Sequence, residues 1–254
     1  MRSTVPKVLH RLAGKPMVRH VIDTAAGLHA ERTHVVVGHG AEKVREALAD
    51  CRVHFALQAE QKGTGHAVAQ ALEGLGNGRV LVLYGDVPLI HRATLERLLE
   101  GVDDNHLGLL TVTLDDPGGY GRILRNAEGE AVAIVEHKDA SESERAVREC
   151  NTGIMAMTAA QLRRWLPSLS ADNAQGEYYL TDIIAMAAAE GVRIVTTQPA
   201  EPLEVEGVNN RAQMARLPFT HLFSGRSHDP GIELAETLKE LMPVPTSKIF
   251  FTSS

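Results

Sequence analysis

Cysteine is scarce in this chain: Cys51 and Cys150 are the only two, far apart and without metal-ligand spacing. That excludes a disulfide framework and makes a zinc site improbable. A long apolar run is lacking too, since none approaches the ~20 residues a membrane span needs. The opening Met1-Arg-Ser-Thr-Val-Pro6 carries no apolar core of a signal peptide. No dense basic patch occurs, and the net charge is −6, with 26 basic against 32 acidic residues. Nucleic acid and anionic membrane are therefore not expected as partners, whereas a few placed cations would suffice for a phosphorylated substrate. With 254 residues and 44% hydrophobic content, the chain can bury one substantial core or two small ones. A cytoplasmic protein is the default expectation.

What is present is an alternation of strand-length apolar runs with segments of helical period. Pro16 to Leu28 predicts a helix with proline in its first turn. Thr33 to Val37 predicts a strand, Glu42 to Ala49 a helix, Val53 to Leu57 a strand and Gly65 to Leu75 a helix. Val80 to Tyr84, Arg92 to Leu99 and Leu107 to Leu114 continue as strand, helix, strand. Such alternation predicts an α/β fold, a doubly wound and mostly parallel sheet with helices on both faces. Gly121 to Arg125 and Ala131 to Val135 then predict a hairpin within a β-rich insertion. A strand from Thr152 to Met157 follows, with helices from Ala160 to Leu166 and from Leu180 to Glu190. Val192 to Thr197 predicts another strand, and Asn209 to Leu217 a last helix. Residues 218–254 read as a separate segment, with a helix from Gly231 to Leu241 and a terminal strand from Lys248 to Phe251.

Two stretches carry the chemistry. Gln58-Ala-Glu-Gln-Lys-Gly-Thr-Gly-His-Ala67 is a glycine-rich turn opening a helix, and Val80-Leu-Val-Leu-Tyr-Gly-Asp86 is a strand ending in a carboxylate. In open α/β sheets ligands sit at the carboxyl ends of parallel strands, where one such turn can offer backbone N–H groups and the other can hold a metal ion. A nucleotide with magnesium suits the pair.

The chain resembles the uridylyltransferase domain of the bifunctional bacterial N-acetylglucosamine-1-phosphate uridylyltransferase/glucosamine-1-phosphate acetyltransferases, from Met1 to about Leu217. The resemblance rests on Pro6-Lys-Val-Leu-His10, Gln58-Ala-Glu-Gln61 with Gly63-Thr-Gly-His-Ala67, and Tyr84-Gly-Asp-Val-Pro-Leu89. Further along are Gly119-Tyr-Gly-Arg122, Val135-Glu-His-Lys-Asp-Ala140, Asn151-Thr-Gly153, Gln175-Gly-Glu-Tyr-Tyr-Leu-Thr-Asp182 and Glu204-Val-Glu-Gly-Val-Asn-Asn-Arg211. It implies a Rossmann-like nucleotide-diphospho-sugar transferase fold with a β-rich sugar-binding insertion.

The resemblance also implies roles. Lys7 would contact the phosphates, while Gln58, Gly63 and Thr64 would contact uracil rather than phosphate. Asp86 would coordinate Mg2+ together with Asn209, a pairing suited to an ion that takes one or two protein oxygens plus substrate phosphates. Tyr84, Gly85, Gly121, Glu136 and Asn151 would surround the sugar and its acetamido group, with Tyr179 and Thr181 completing that side. His10, His66 and His137 have the look of general bases, but in-line transfer between phosphates needs none, so all three read as structural.

Two departures from the family follow. Its first strand and its loop Leu-x-x-Gly-x-Gly-Thr-Arg, which precede the Met-x-Ser matching Met1 to Ser3, are missing here. The missing strand is central, so its absence predicts a gap between neighbouring strands. The family's β-helix of hexapeptide repeats, which carries acetyl transfer and most of the trimer contact, is also missing, and a monomer is expected. Instead, residues 218–254 resemble an N-terminal piece of class III pyridoxal-phosphate aminotransferases, which ends before any Schiff-base lysine region. Two units are thus expected, 1–217 and 218–254, the second a joined fragment. The expected activity is uridylyl transfer from UTP to N-acetylglucosamine 1-phosphate, a step toward cell-wall peptidoglycan. A binding-only fragment and a related sugar-1-phosphate nucleotidyltransferase are the rivals.

Overall fold

The strand β5 (Arg79–Val82) and the long strand β9 (Glu149–Thr158) are the centre of the molecule as described by a computed structural model covering residues 5–208. The helix expected from Asn209, the helix expected from Gly231, the strand expected from Lys248 and the 218–254 unit lie outside those residues.

In chain order, a short turn of 3-10 helix at Lys7–Leu9 leads to a small antiparallel hairpin, β1 (Arg11–Leu12) and β2 (Lys15–Pro16). Helix α1 (Met17–Ala26) follows, with Pro16 as its N-cap and Met17, Val18 and Val21 buried. Strand β3 (His34–Val37), helix α2 (Ala41–Ala47) and strand β4 (His54–Leu57) form a βαβ unit whose strands run parallel. Helix α3 (Thr64–Ala69) is shorter than its apolar period predicts, giving way to a 3-10 turn at Leu72–Gly74. Contacts there favour the tighter turn: His34 Nε2 sits 3.2 Å from the Gly74 carbonyl and Arg163 donates to the Leu75 carbonyl at 2.6 Å.

After β5 come α4 (Arg92–Glu100) and β6 (His106–Thr113), then the hairpin β7 (Arg122–Arg125) and β8 (Ala131–Val135). A one-turn helix α5 (Glu142–Arg145), closed by a Ser141/Glu144 capping box that the periodicity did not signal, leads into β9. Helix α6 (Ala159–Trp165), helix α7 (Ile183–Ala189) and strand β10 (Arg193–Thr197) complete the described fold.

The main sheet has six strands in the order β10-β6-β9-β7-β8, with β5 beside β9 on the edge that β7 also uses. It is mixed rather than mostly parallel in its pairings, because β9 runs antiparallel to β5, β6 and β7. Direction explains the difference from the expectation. β5 and β6 point the same way, as their linking helix α4 requires, and β6 pairs parallel with β10. The chain then leaves through the β7–β8 hairpin, so β9 enters from the opposite end and slots between β5 and β6. The core follows this arrangement: Leu107, Leu109, Met155, Met157, Trp165 and Ile184 fill one face, and Leu95, Leu98, Leu110, Ile154 and Ala156 the other. Among the described residues β3 and β4 form their own two-stranded sheet, not hydrogen-bonded to β5.

Candidate functional site

Asp86 stands four residues beyond the end of β5, in a turn tied by the Val87 N–H to the Tyr84 carbonyl at 3.1 Å. Its carboxylate Oδ2 meets Lys7 Nζ, carried by the 3-10 turn that follows Pro6. Asp86 is largely covered, with its side chain 17% exposed against 39% for Lys7, so the pair sits at the lip of a cleft. The Asp86 carbonyl in turn accepts from the Val208 N–H at 2.9 Å. Val208 is the residue before Asn209, and Asn209 itself lies outside the described residues.

A cavity of about 300 Å³ opens beside this pair, walled by Tyr84, Asp86, Tyr120, Thr152, Val205 and Gly207 among others. Only Tyr84 and Asp86 of these were expected. Tyr120 was within reach of the sequence, since it sits inside Gly119-Tyr-Gly-Arg122, and the buried Arg122 shapes that wall by donating to the Tyr120 carbonyl. Thr152 and Val205 had no signal apart from standing within other matched motifs.

Tyr84 and Gly153 are brought together by an irregularity in β9. Its register against β6 shifts between Leu109, which faces Met155, and Thr111, which faces Asn151, so that Thr152, Gly153 and Ile154 bulge out of the ladder. Thr152 Oγ1 donates to the Leu110 carbonyl at 2.7 Å, and Asn151 Oδ1 accepts from the Gly153 N–H at 2.9 Å. Gly153 takes φ +83°, and a Cβ there would lie 2.5 Å from the Tyr84 ring, so only glycine lets the ring close over the bulge. Gly85 packs against Val8 and Val18. Burial, then the Glu136 and Asp86 charges, pushes the Tyr84 hydroxyl up to about 12, so it stays a protonated donor.

Glu136, just beyond β8, accepts from Thr181 Oγ1 at 3.0 Å. Burial raises its carboxyl above the usual range, the Thr181 hydrogen bond opposes this, and the Asp182 and Asp139 charges add to the rise. The Gly121 carbonyl accepts from the Asn151 N–H at 2.9 Å, which links hairpin to bulge. Tyr179 is buried, and its hydroxyl accepts from Gln175 Nε2 at 2.8 Å.

The expected base-reading turn lies along the same wall. Gly63 (φ +104°) sits so close to Tyr178 that a Cβ would come within 2.6 Å of its carbonyl oxygen. Thr64 Oγ1 accepts from the Leu180 N–H at 3.0 Å, and Gly65 N–H donates to the Tyr178 carbonyl at 2.8 Å. Gln58 Nε2 donates to the Gly63 carbonyl at 3.0 Å. The turn is therefore laced to Tyr178 and Leu180, the neighbours of Tyr179, and Thr181, next in the chain, reaches Glu136. His10 and His137 each keep one buried ring nitrogen without a hydrogen bond.

The donor set suits a hard cation. A carboxylate oxygen already accepts a positive group in the Lys7 ammonium, a stand-in for a metal ion at the same atom. Among the described residues no group of three or more His, Cys, Asp or Glu converges, so a site there would rely on substrate oxygens, as magnesium sites often do.

Solved structures share this architecture. The chain matches a nucleotidyl transferase from Methanothermobacter thermautotroptrophicus at a TM-score of 0.56 and 22% identity, covering 82% of each chain. It matches a UDP-glucose pyrophosphorylase complexed with UDP-glucose at a TM-score of 0.61 and 18% identity, covering 77% of this chain and 83% of that one. By sequence it is 70% identical over 217 residues to the bifunctional protein GlmU of Chromohalobacter salexigens and 60% identical over 217 residues to that of Stutzerimonas stutzeri. These alignments cover 85% of this chain and 48% of each relative, so the chain spans about half the length of the curated relatives it matches. Residues 1–172 match the family model of the MobA-like NTP transferase domain, and the chain belongs to that family.

Proposed function

We propose that this domain transfers the uridylyl group of UTP to N-acetylglucosamine 1-phosphate, giving UDP-N-acetylglucosamine and pyrophosphate. The observation that carries the reading is the meeting of Lys7 with Asp86 beside the Tyr84 cavity, with Val208 anchored on the Asp86 carbonyl. A phosphate oxygen of the sugar phosphate attacks the α-phosphorus of UTP in line. The bond to the bridging oxygen breaks as the new one forms, and pyrophosphate departs with its electron pair. Lys7 puts a positive charge where negative charge grows on phosphoryl oxygens, an effect stronger in a partly dry site than in water. Gln58, Gly63 and Thr64 hold the base. Tyr84, Gly85, Gly121, Glu136, Asn151, Tyr179 and Thr181 hold the sugar. Asp86 and Asn209 would hold Mg2+, which when bound neutralises phosphate charge. The remaining catalysis is positioning, and it requires no covalent intermediate.

Both substrates are small molecules, and the reading suits a cytoplasmic protein. Among the described residues no helix is long and apolar enough to cross a membrane. The test is pyrophosphate release from UTP with Mg2+ and N-acetylglucosamine 1-phosphate, run beside glucose 1-phosphate and dTTP. Release with the first pair is expected. Preference for glucose 1-phosphate or dTTP would reassign the specificity, and sugar-phosphate binding without release would leave only a binding domain.

A further inference from the structure

We propose that His66 is a positioning residue for the nucleobase: its Nδ1 holds the Gln58 amide so that Gln58 faces the pyrimidine only as an acceptor, which favours uridine over cytidine nucleotides. The proposal rests on the reading of Gln58 as a base contact. Gln58 Nε2 lies 3.0 Å from the Gly63 carbonyl and 3.1 Å from His66 Nδ1. A backbone carbonyl can only accept, so the amide atom facing it is the NH2 and not the oxygen. That NH2 has two hydrogens. One goes to Gly63, and the other points at Nδ1, which must then carry a lone pair, leaving the ring proton on Nε2.

On the far side of the ring a second amide competes for that lone pair. Gln70 Nε2 donates to the His66 carbonyl at 3.0 Å and also lies 3.3 Å from His66 Nε2. A neutral imidazole has one lone-pair nitrogen, so the two amide nitrogens cannot both donate to it. The Gln58 contact is shorter and less exposed, and it takes the lone pair.

Both Gln58 hydrogens are thus committed inside the turn, and Oε1 is the group left for a ligand. An acceptor there pairs with the N3–H of uracil. At the same position cytosine offers a lone pair, and the two would repel. The Gly63 carbonyl cannot drift to release the amide, because it also accepts from the Ala67 N–H at 3.1 Å. A histidine read from sequence as structural therefore sets the polarity of its glutamine neighbour.

The experiment compares UTP with CTP in pyrophosphate release and in calorimetric binding, for wild type, His66→Ala, His66→Asn and Gln58→Ala. His66→Ala should lower the UTP/CTP ratio of kcat/KM by about tenfold, the worth of one oriented hydrogen bond, through KM for UTP rather than kcat. His66→Asn, whose Oδ1 can accept in place of Nδ1, should recover most of the ratio. Equal losses for both nucleotides, or a ratio unchanged in His66→Ala, would overturn the proposal while leaving Gln58 as a base contact. A wild type indifferent to the base, with Gln58→Ala silent, would overturn the reading of Gln58 and the proposal with it. Nitrogen-15 shifts of the wild-type ring give a readout that needs no variant: the Nε2–H tautomer is expected, and an Nδ1–H tautomer refutes the proposal.

Discussion

At the scale of single residues, the carboxylates divide by what their surroundings do to charge. Asp86 has a cation, the Lys7 ammonium, against it. Removing it in Asp86→Ala should cost turnover at least ~1000-fold, since charge stabilisation at the transferring phosphoryl group is lost. The fold should persist, because the partner Lys7 is well solvated and a pair of that kind contributes about 1 kcal/mol or less. Turnover retained in excess magnesium, with an unchanged melting curve, would remove Asp86 from the metal site. Glu136 is the opposite case. Its folded carboxyl is raised, chiefly by burial, above the ordinary 4.5. Between that value and the raised one the native state binds more protons than the unfolded chain, so stability falls as pH climbs through the window. Glu136→Gln keeps an oxygen for Thr181 without the charge. It should therefore melt higher than wild type at pH 7 to 8, converge with it near pH 4, and bind the sugar phosphate more weakly. A melting-temperature series against pH checks the sign.

At the scale of elements, the bulge in β9 decides most. Gly153→Ala forces a side chain into a left-handed backbone position and a methyl group into the Tyr84 ring at 2.5 Å. We expect a loss of about 2–3 kcal/mol in urea unfolding, larger than a strained backbone alone would give, together with weakened sugar-phosphate binding. A loss below about 1 kcal/mol would mean that Tyr84 swings away at little cost. The same element shows where sequence reading succeeds and fails. Alternating and continuous apolar runs located β3, β4, β5, β6, β7, β8 and β10 to within a residue or two, because burial dictates them. Direction was not legible for β9: its apolar content looks the same whichever way it runs, and only the β7–β8 hairpin before it sets the reversal. Nor was the bulge legible, because Asn-Thr-Gly signals a turn as readily as a kink in a long strand. In the site, Tyr120 and Thr152 stood inside matched motifs, yet that they line the cavity depends on how the β7–β8 hairpin and the bulge of β9 fold, which the motifs do not show.

At the scale of the whole molecule, the site is a seam. The β3–β4 sheet, with Val18, Val37, Val44 and Leu48 as its core, meets the six-stranded sheet without sharing a ladder among the described residues. The joints between them are mostly single contacts, among them Lys7 on Asp86, His34 and Arg32 at the Gly74 carbonyl, the Tyr178 N–H on the Lys62 carbonyl, and Val8 with Val18 against Gly85. A unit with a small core and few shared hydrogen bonds opens at lower free energy than the large one. Amide protons of β3 and β4 should therefore exchange at least ~10-fold faster than those of β6 and β9, as one cooperative group. Acid should widen the difference. His34 stacks on His54 at 5.3 Å, and burial, then the neighbouring imidazole, lowers its proton affinity from the usual 6.5. The unfolded chain then binds more protons, so stability of this unit is lost as pH falls below 6.5. On the proposed reading, UTP with magnesium bridges the seam in its closed state, so the pair should slow exchange in β3 and β4 far more than in β9. Equal protection in both sheets would mean that the nucleotide does not bridge them, and the assignment of Lys7 and Asp86 to one phosphate site would fail with it.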